Sequence, residues 1–486
     1  MQKVISFCLW GSGLRYTKGL IENIKIAKEL YKDWVCWVYI HQHSVDKSII
    51  DELNTYDNVK IILKTDTDIR NKRFMLWRFE PSMDDSVEYF ISRDIDTRIQ
   101  LREVLAVEDW IESGKGLHIM RDHPQHYPKI LGGMYGINCL KLNTLKPSVN
   151  WVDEIEEYYQ KFGEEKDDQD FLGDNFYKLF ETDRMVHDEI KKYEGDECLQ
   201  FPIPYEQDYR FVGCYIYEDD SNDTQTTDVL KNWLQYHLPH RVSNYSTTME
   251  QTLRYIGQTI DNIYIVHYTK LTDRKLSMKS QLKIFKNFIS VKWVDNFDRE
   301  VITNDMVNQN YIYDPRIVYR RLTIGEIANG FAHTSILQDI RLNKDISLIL
   351  EDDTVFKKDF IHHLAYVLKN LKDDWEMVCL GGITYQENYP AKTLENSLKL
   401  DFNSSEIVLH EPETPAVHTM SAILTNKKGV SKVLESTYMK KIYAPIDHSI
   451  WLAGMETNLK MYWCQPWISY EGSKNDKFLP SLDKNF

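Results

Sequence analysis

The 486-residue sequence is poor in the features that mark several classes of protein. Its seven cysteines are widely spaced and form no C-x-x-C pair, which argues against zinc and disulfide scaffolds and predicts reduced, mostly buried thiols. Glycine and proline are scarce, at 20 and 14 residues, so a collagen-like or low-complexity chain is excluded. No run approaches the roughly 20 apolar residues of a membrane span. With no span and no signal segment in the sequence, we expect a soluble, cytoplasmic protein.

Basic residues are too few for a protein whose main partner is a phosphate backbone. Acidic residues outnumber basic residues by 74 to 59, giving a formal net charge of −15. Nucleic acids are held by clustered Lys and Arg, so we expect no nucleic-acid partner. An acidic protein still binds a phosphorylated small molecule when a divalent cation supplies the positive charge. Carboxylates that could hold such a cation are therefore the informative feature.

Buried-strand runs alternate with amphipathic stretches along the chain, which predicts α/β domains with helices covering a largely parallel sheet. The length allows two to four domains. A polar stretch at 219–228 interrupts the pattern, and a new strand-like opening follows at 262–268. We therefore predict an N-terminal domain over 1–222, a linker with a helical segment over 223–260, and a C-terminal domain over 261–486.

The strand predicted at 87–93 runs into an Asp-x-Asp pair, Asp94 and Asp96. Alternate residues of an extended chain point the same way, so the two carboxylates are expected to converge on one ion. Oxygen ligands suit Mn²⁺ or Mg²⁺, and such a cation bridges to a diphosphate. A solvated turn is the alternative for the bare pattern. Arginines that could add phosphate contacts are Arg70, Arg73, Arg78, Arg93 and Arg98.

A second buried strand, at 346–350, ends in Glu351, Asp352 and Asp353. Adjacent carboxylates repel one another unless a cation or a basic group neutralises them, which disfavours a purely structural role. Glu351 and Asp353 share one side of the extended chain, and Asp352 lies on the other. A solvated acidic turn is again the alternative. Both halves of the chain thus contain an apolar strand that runs directly into acidic residues.

The N-terminal motifs resemble nucleotide-sugar-dependent glycosyltransferases of the GT-A fold. The resemblance rests on Ser-Arg-Asp-Ile-Asp-Thr-Arg at 92–98, Leu-Gly-Gly-Met-Tyr-Gly at 131–136, Asp-Gln-Asp-Phe-Leu at 168–172, and His187. It implies that Asp94 and Asp96 bind the metal and the nucleotide sugar, with Arg93 beside them and His187 as a third metal ligand. It also implies that Asp168 and Gln169 lie near the transferred sugar, where Asp168 is the candidate catalytic residue.

The C-terminal half resembles glycosyltransferase family 25, which includes bacterial lipopolysaccharide sugar transferases and procollagen galactosyltransferases. The likeness covers roughly 261–475, and its motifs recur in order at 265–274, 322–333, 351–353, 375–382, 421–429 and 445–448. It implies an inverting transfer in which Asp447 is the catalytic base facing the acceptor. The residues it implies around the metal and the nucleotide sugar are Arg274, Glu326, Glu351, Asp352 and Asp353, with Asp352 and Asp353 as the metal ligands.

These resemblances imply an α/β protein with two GT-A-like, Rossmann-like, nucleotide-sugar-binding domains in tandem. We expect a bifunctional glycosyltransferase that uses Mn²⁺ or Mg²⁺ and a UDP-sugar donor. The expected acceptor is a glycan or a glycoprotein, collagen-like proteins included. One active domain beside a degenerate binding domain is an alternative. A metal-dependent diphosphate hydrolase or nucleotidyltransferase, and a noncatalytic carbohydrate-binding protein, are others.

Overall fold

The computed structural model describes residues 1–65, 70–147, 149–162, 167–382, 407–415, 419–474 and 477–478. The chain divides into two compact units, a first unit of residues 1–248 and a second unit of residues 249–486. Each unit has its own sheet and its own apolar core. The α/β class and the tandem arrangement predicted from the sequence are confirmed.

The first unit is built on an eight-stranded sheet in the order β3-β2-β1-β4-β6-β5-β7-β8. Its strands are β1 (Gln2–Leu9), β2 (Trp34–His41), β3 (Val59–Lys64), β4 (Val87–Arg93), β5 (Leu117–Arg121), β6 (Met134–Asn138), β7 (Arg184–Asp188) and β8 (Cys198–Leu199). Its α-helices are α1 (Leu14–Leu30), α2 (Lys47–Leu53), α3 (Leu101–Ser113), α4 (Cys139–Leu145), α5 (Trp151–Phe162), α6 (Asp168–Asp174), α7 (Phe176–Leu179) and α8 (Thr224–His237). A long 3₁₀ helix spans Arg70–Met83.

The second unit is built on a seven-stranded sheet in the order β10-β9-β11-β16-β13-β17-β15, beside a small sheet β12-β18-β14. Its strands are β9 (Asn262–Val266), β10 (Ser290–Val294), β11 (Ile346–Glu351), β12 (Thr354–Phe356), β13 (Met377–Cys379), β14 (Gly381–Gly382), β15 (Val408–His410), β16 (Ala422–Asn426), β17 (Met461–Gln465) and β18 (Ser469–Glu471). Its α-helices are α9 (Met249–Thr259), α10 (Thr272–Leu282), α11 (Asn304–Asn310), α12 (Ile324–Asn343), α13 (Phe360–Lys369), α14 (Lys427–Glu435) and α15 (Ile446–Thr457).

The two sheets share one strand order around their acidic strands. In the first unit, β4 pairs in parallel with β1 and antiparallel with β6. The next strand, β5, pairs antiparallel with β6 and in parallel with β7. In the second unit, β11 pairs in parallel with β9 and antiparallel with β16. The next strand, β13, pairs antiparallel with β16 and in parallel with β17. Each acidic strand therefore lies inside its sheet. Its carboxyl end opens at the edge where α/β sheets bind ligands.

Both acidic strands are apolar because they are covered on both faces. The side chains of Phe90, Ile91, Leu348, Ile349 and Leu350 are all fully buried. Strands of largely parallel sheets read as continuous apolar runs for this reason. The switch from apolar to acidic residues therefore marks the point where each chain leaves its sheet.

Residues 223–260, which the sequence assigns to a linker, contain two helices that pack into different units. Helix α8 places Leu230 and Leu234 in an apolar cluster of the first unit. Helix α9 packs on α13 of the second unit. None of the helices in the described ranges has the length and apolarity needed to cross a membrane. All seven cysteines are free, and all but the half-buried Cys198 are buried, which confirms the prediction of mostly buried thiols.

Candidate active sites

A cavity of about 280 Å³ lies at the carboxyl edge of the second sheet. The residues just after β9, the first half of α12, the end of β11 and the segment after β18 form its wall. The acidic strand end predicted from the sequence therefore opens into a cavity. Its carboxylates are Glu326, Glu351, Asp352, Asp353 and Glu471.

Asp352 has hydrogen-bond donors on both of its oxygens. Oδ2 lies 2.9 Å from Nδ1 of His267 and accepts from the backbone N–H of Tyr268 at 3.2 Å. Oδ1 accepts from Nη1 of Arg274 at 3.0 Å. Three donors occupy this carboxylate, so Asp352 positions Arg274 and the β9 loop, and its predicted role as a metal ligand stays a prediction.

Asp353 is buried but only partly satisfied. Its Oδ2 lies 3.6 Å from Nη1 of Arg274, whereas its Oδ1 has no hydrogen-bond partner. Burial, together with the nearby charges of Glu351 and Glu471, raises the pKa of Asp353 to about 7. An unpartnered buried carboxylate oxygen is costly unless a ligand or cation uses it.

Helix α12 presents one face to the end of β11. Its capping box joins Thr323 and Glu326, and Arg320 holds Glu326 through two hydrogen bonds of 2.7 and 2.8 Å. One and two turns further on, Asn329 and His333 contact Oε1 of Glu351 at 3.0 and 3.2 Å. The spacing i, i+3, i+7 places all three side chains on the same face of the helix.

Glu351 stays ionised because of these contacts. Burial raises the pKa of Glu351, but the hydrogen bonds from His333 and Asn329 outweigh this effect and lower it overall. Burial and the charge of Glu351 raise the pKa of Asp447 in the first turn of α15. The predicted base Asp447 is therefore close enough to Glu351 for the charge of Glu351 to raise its pKa. A raised pKa suits a group that must accept a proton.

The residues of the second unit fit a divalent cation. Asp353 offers a buried oxygen without a partner, and Glu471 adds a carboxylate from the far end of the chain. Hard cations such as Mn²⁺ and Mg²⁺ are held by one or two carboxylates together with phosphate oxygens of the substrate. A cation bound there would supply the positive charge that a departing diphosphate needs.

The Asp-x-Asp pair of the first unit lies in a turn and meets arginines. Residues 94–97 leave the strand as a turn and a bend, so the extended geometry expected from the sequence is absent there. Nη1 of Arg78 donates to Oδ1 of Asp94 at 2.5 Å, and Nη2 donates to Oδ2 of Asp168 at 3.2 Å. Nη2 of Arg15 donates to Oδ2 of Asp96 at 3.3 Å. Each predicted carboxylate therefore has a guanidinium partner.

Asp168 is positioned by the start of α6. The preceding Asp167 forms a capping box with Asp170, and its side chain also accepts from the backbone N–H of Gln169. Phe171, one turn along the helix, packs edge-on against Phe79 of the 3₁₀ helix that carries Arg78. Burial raises the pKa of Asp168, against the lowering effect of Arg78. Burial and the charge of Asp94 also raise the pKa of Asp96.

The Gly132-Gly133 turn fits against these carboxylates only because it has no side chains. A Cβ atom on Gly133 would lie 2.1 Å from Oδ2 of Asp94, and one on Gly132 would lie 2.6 Å from Oδ2 of Asp168. Cβ atoms do not approach other atoms this closely in folded proteins. The two glycines of the Leu-Gly-Gly-Met-Tyr-Gly motif therefore leave the space that the carboxylates of Asp94 and Asp168 occupy.

We expect Gly133→Ala to push Asp94 away from Arg78 while leaving the sheet intact. The broken ion pair should lower the free energy of unfolding by about 1 kcal/mol, because the Asp94 side chain is 41% exposed and water screens the pair. Urea unfolding measures this change. Gly173→Ala is the matched control, since no atom lies within 4 Å of its Cβ position. Equal stability of the two variants would contradict the close fit.

Two residues predicted in the site of the first unit have their main contacts elsewhere. Arg93 is 1% exposed and is held by Glu103 at 3.0 Å and by the carbonyl of Gly133 at 2.9 Å, so it supports the turn and has no surface for a ligand. His187 lies on β7, three strand spacings or about 14 Å across the sheet from β4. Its Nδ1 lies 2.9 Å from Nε2 of His118, away from the Asp-x-Asp pair.

The other arginines flanking the pair have different positions. Arg98 bonds to Asp220 at 2.8 Å. The side chains of Arg70 and Arg73 lie outside the described part of the chain. Among the arginines predicted to contact phosphate, Arg78 is the one whose described side chain bonds directly to Asp94. The Arg78 side chain is buried, at 2% exposure.

A third acidic group has its own internal partners. Asp188, Glu194 and Cys198 bring their ligating atoms within 4.8 Å of one another. Arg121, however, forms ion pairs with both Asp188 and Glu194, and three backbone N–H groups of the following loop donate to Asp188. The charges and hydrogen bonds of this group are therefore satisfied within the protein, and the group fixes the loop after β7.

Several residues around the sites have no local signal in the sequence. Arg15 follows β1, and Glu471 lies 118 residues beyond Asp353, so only the folded sheet brings either to its carboxylate partners. His333 and Asn329 carry a signal in their helical spacing from Glu326. His267 also carries a signal, because it directly follows the strand β9.

Residues 260–450 match the family model described as glycosyltransferase family 25 (LPS biosynthesis protein). The protein is therefore a glycosyltransferase enzyme. The matched region lies within the second unit and includes β9, α12, the acidic strand β11 and Asp447, so the C-terminal region is similar to the family that the motifs indicated.

No curated protein matches the chain. Solved structures that resemble it include the galactosyltransferase LgtC in complex with donor and acceptor sugar analogs, at 14% identity, covering 38% of this chain and 73% of that one, TM-score 0.28. A glycosyltransferase involved in the glycosylation of the major capsid of PBCV-1 is 11% identical over 39% of this chain and 82% of that one, TM-score 0.27. A 4-diphosphocytidyl-2C-methyl-D-erythritol synthase from Anaerococcus prevotii is 12% identical over 48% and 98%, TM-score 0.27. Overlaps of this size do not define a function.

Proposed function

We propose that the second unit transfers a sugar from a nucleoside-diphosphate sugar, a UDP-sugar by our expectation, to a glycan or glycoprotein acceptor. The observation that carries this proposal is the unpartnered, buried Oδ1 of Asp353 at the wall of a cavity in a family 25 domain. Asp353, with Glu471, would hold Mn²⁺ or Mg²⁺. Arg274 and Tyr268 line the same wall, where a guanidinium suits phosphate oxygens and a ring suits a sugar or base.

The acceptor side of the proposal rests on Asp447. An inverting transfer needs a base that removes the proton of the acceptor hydroxyl as that oxygen attacks the anomeric carbon. Burial and the charge of Glu351 raise the pKa of Asp447, which supports a role in accepting a proton. We propose it as this base, with a collagen-like hydroxylysine or another glycan hydroxyl as the acceptor.

We propose the first unit as a second sugar-transfer site, which makes the chain bifunctional. The support is its shared strand order with the second unit and its carboxylates Asp94, Asp96 and Asp168 at the corresponding strand edge. A unit that only binds substrate is the competing outcome of the experiment below. Collagen-like and lipopolysaccharide-like acceptors are equally compatible with this part of the proposal.

The test is a panel of nucleotide sugars with Mn²⁺, methyl glycosides and a hydroxylysine peptide, scored for release of nucleoside diphosphate. We expect Asp447→Asn to keep donor binding and to lower kcat of one activity by about 10²- to 10⁴-fold, as expected for loss of a general base. Glu435→Gln, an exposed carboxylate on α14, is the control. A second donor whose turnover is lost only in Asp168→Asn supports two active units.

Other products would contradict the proposal. Release of pyrophosphate in place of nucleoside diphosphate indicates a nucleotidyltransferase, and sugar phosphate indicates a diphosphate hydrolase. Unchanged kcat in Asp447→Asn removes it as the base. Failure of every donor both to turn over and to bind in calorimetry overturns the transferase assignment of the cavity.

A further inference from the structure

The carboxylates of the first unit are already paired with positive side chains of the protein itself. Arg78 bridges Asp94 and Asp168 with two different nitrogens, and Arg15 pairs with Asp96. Three carboxylates and two guanidinium groups thus form a group in which each carboxylate has a positive partner. Arg78 lies where a divalent cation bridging Oδ1 of Asp94 and Oδ2 of Asp168 would lie.

Arg78 is fixed in this position. Its side chain is 2% exposed, and its Nε donates to the carbonyl of Met75 in the same 3₁₀ helix at 3.3 Å. The next residue, Phe79, is buried against Tyr135 and Phe171 at ring-centroid distances of 5.6 and 6.2 Å. Moving the guanidinium aside would leave a buried charge without a partner, which is strongly unfavourable.

The second unit differs at the corresponding strand edge. Arg274 bonds Asp352 at 3.0 Å but reaches Asp353 only at 3.6 Å, so Oδ1 of Asp353 keeps no partner. A hard cation therefore has an oxygen to use in the second unit. In the first unit, the predicted third ligand His187 lies across the sheet, beside His118.

We infer that the first unit takes no divalent cation and that Arg78 holds Asp94 and Asp168 where a metal ion would otherwise do so. The inference rests on the proposed function, in which both units are sugar-transfer sites. It assigns the metal requirement of the protein to the second unit alone. It also replaces the expectation of two equivalent Mn²⁺ sites with one metal site and one guanidinium site.

The experiment counts bound Mn²⁺ on the full-length chain by electron paramagnetic resonance, in the presence of UDP. We expect one Mn²⁺ per chain. Asp353→Asn should reduce this to none, and Asp94→Asn should leave it at one. Two Mn²⁺ per chain in the unsubstituted protein, or loss of a bound ion in Asp94→Asn, overturns the inference.

A gain-of-site variant tests the role of Arg78 directly. In Arg78→Met the neighbouring carboxylates of Asp94 and Asp168 lose their shared partner, so we expect a second Mn²⁺ to bind. A count that stays at one in a variant with an unchanged circular dichroism spectrum means that Arg78 does not stand in for a metal. If the unsubstituted protein binds no Mn²⁺ at all, the cation site proposed for the second unit is wrong, while the inference about the first unit stands.

Discussion

Asp353→Asn is expected to make the protein more stable at neutral and alkaline pH while removing the cation-dependent activity of the second unit. Burial and the charges of Glu351 and Glu471 raise the pKa of Asp353 from 3.8 to about 7 in the folded protein. Between these two pH values the folded state binds the proton and the unfolded state does not. Stability therefore falls as the pH rises from about 4 to 7, and the full cost is present above pH 7.

The asparagine removes this cost because it carries no charge at any pH. We expect the free energy of unfolding at pH 8 to rise by on the order of 2 kcal/mol, below the full linkage value for such a pKa shift because the neighbouring carboxylates share it. At pH 4 the variant and the parent protein should differ little. Urea unfolding of the metal-free protein at both pH values measures the effect, with Glu435→Gln as the control.

A loss of stability at pH 8 would show that Asp353 is held by partners in the folded state, and it would remove the basis for the cation site. The expected combination, greater stability with less activity, is typical of residues kept for function at a cost to the fold. Added Mn²⁺ should stabilise the parent protein and leave the variant unchanged, because a ligand that binds only the folded state adds to its stability.

Arg78→Met is expected to have the opposite effect and to destabilise the first unit by about 3 kcal/mol. The methionine fills much of the space of the arginine stem but leaves Asp168, whose side chain is 6% exposed, without its positive partner. Asp94 is 41% exposed, so water compensates most of its loss. Thermal and urea unfolding in a chelator, which removes stray cations, measure this effect.

A double variant separates the ion pair from simple packing. In Arg78→Met/Asp168→Asn the buried negative charge is gone, so we expect about half of the lost stability to return. If the two substitutions instead add independently, the buried pair is not coupled and Arg78 acts only as a space-filling side chain. Lys18→Met, at a half-exposed surface ion pair, is the control and should change stability by less than about 1 kcal/mol.

Much of this architecture is readable from the sequence. Buried parallel strands are apolar along their whole length, so β4 and β11 stand out, and the residues after them are acidic because they lie outside the sheet. The α/β class and the family of the second unit follow from such patterns and from ordered motifs. Helical spacing from Glu326 likewise indicates that Asn329 and His333 share its face.

The charge state of each site was not readable in this way. Whether a carboxylate is free or already paired depends on residues from distant elements, such as Arg78 from a 3₁₀ helix and Glu471 from the last strand. The same limit explains Arg93, whose position next to Asp94 predicts a shared site. Its side chain leaves the strand toward Glu103 in α3. His187 follows an apolar strand as expected, but the strand order separates it from β4.

The buried thiols can report when each unit unfolds. Burial raises the pKa of every cysteine, to about 11 or 12, so almost no reactive thiolate is present in the folded chain at neutral pH. Five cysteines lie in the first unit, and Cys379 and Cys464 lie in the second. Alkylation of the six buried thiols therefore waits for a unit to open, and the peptide that carries the label reveals which of the two opened.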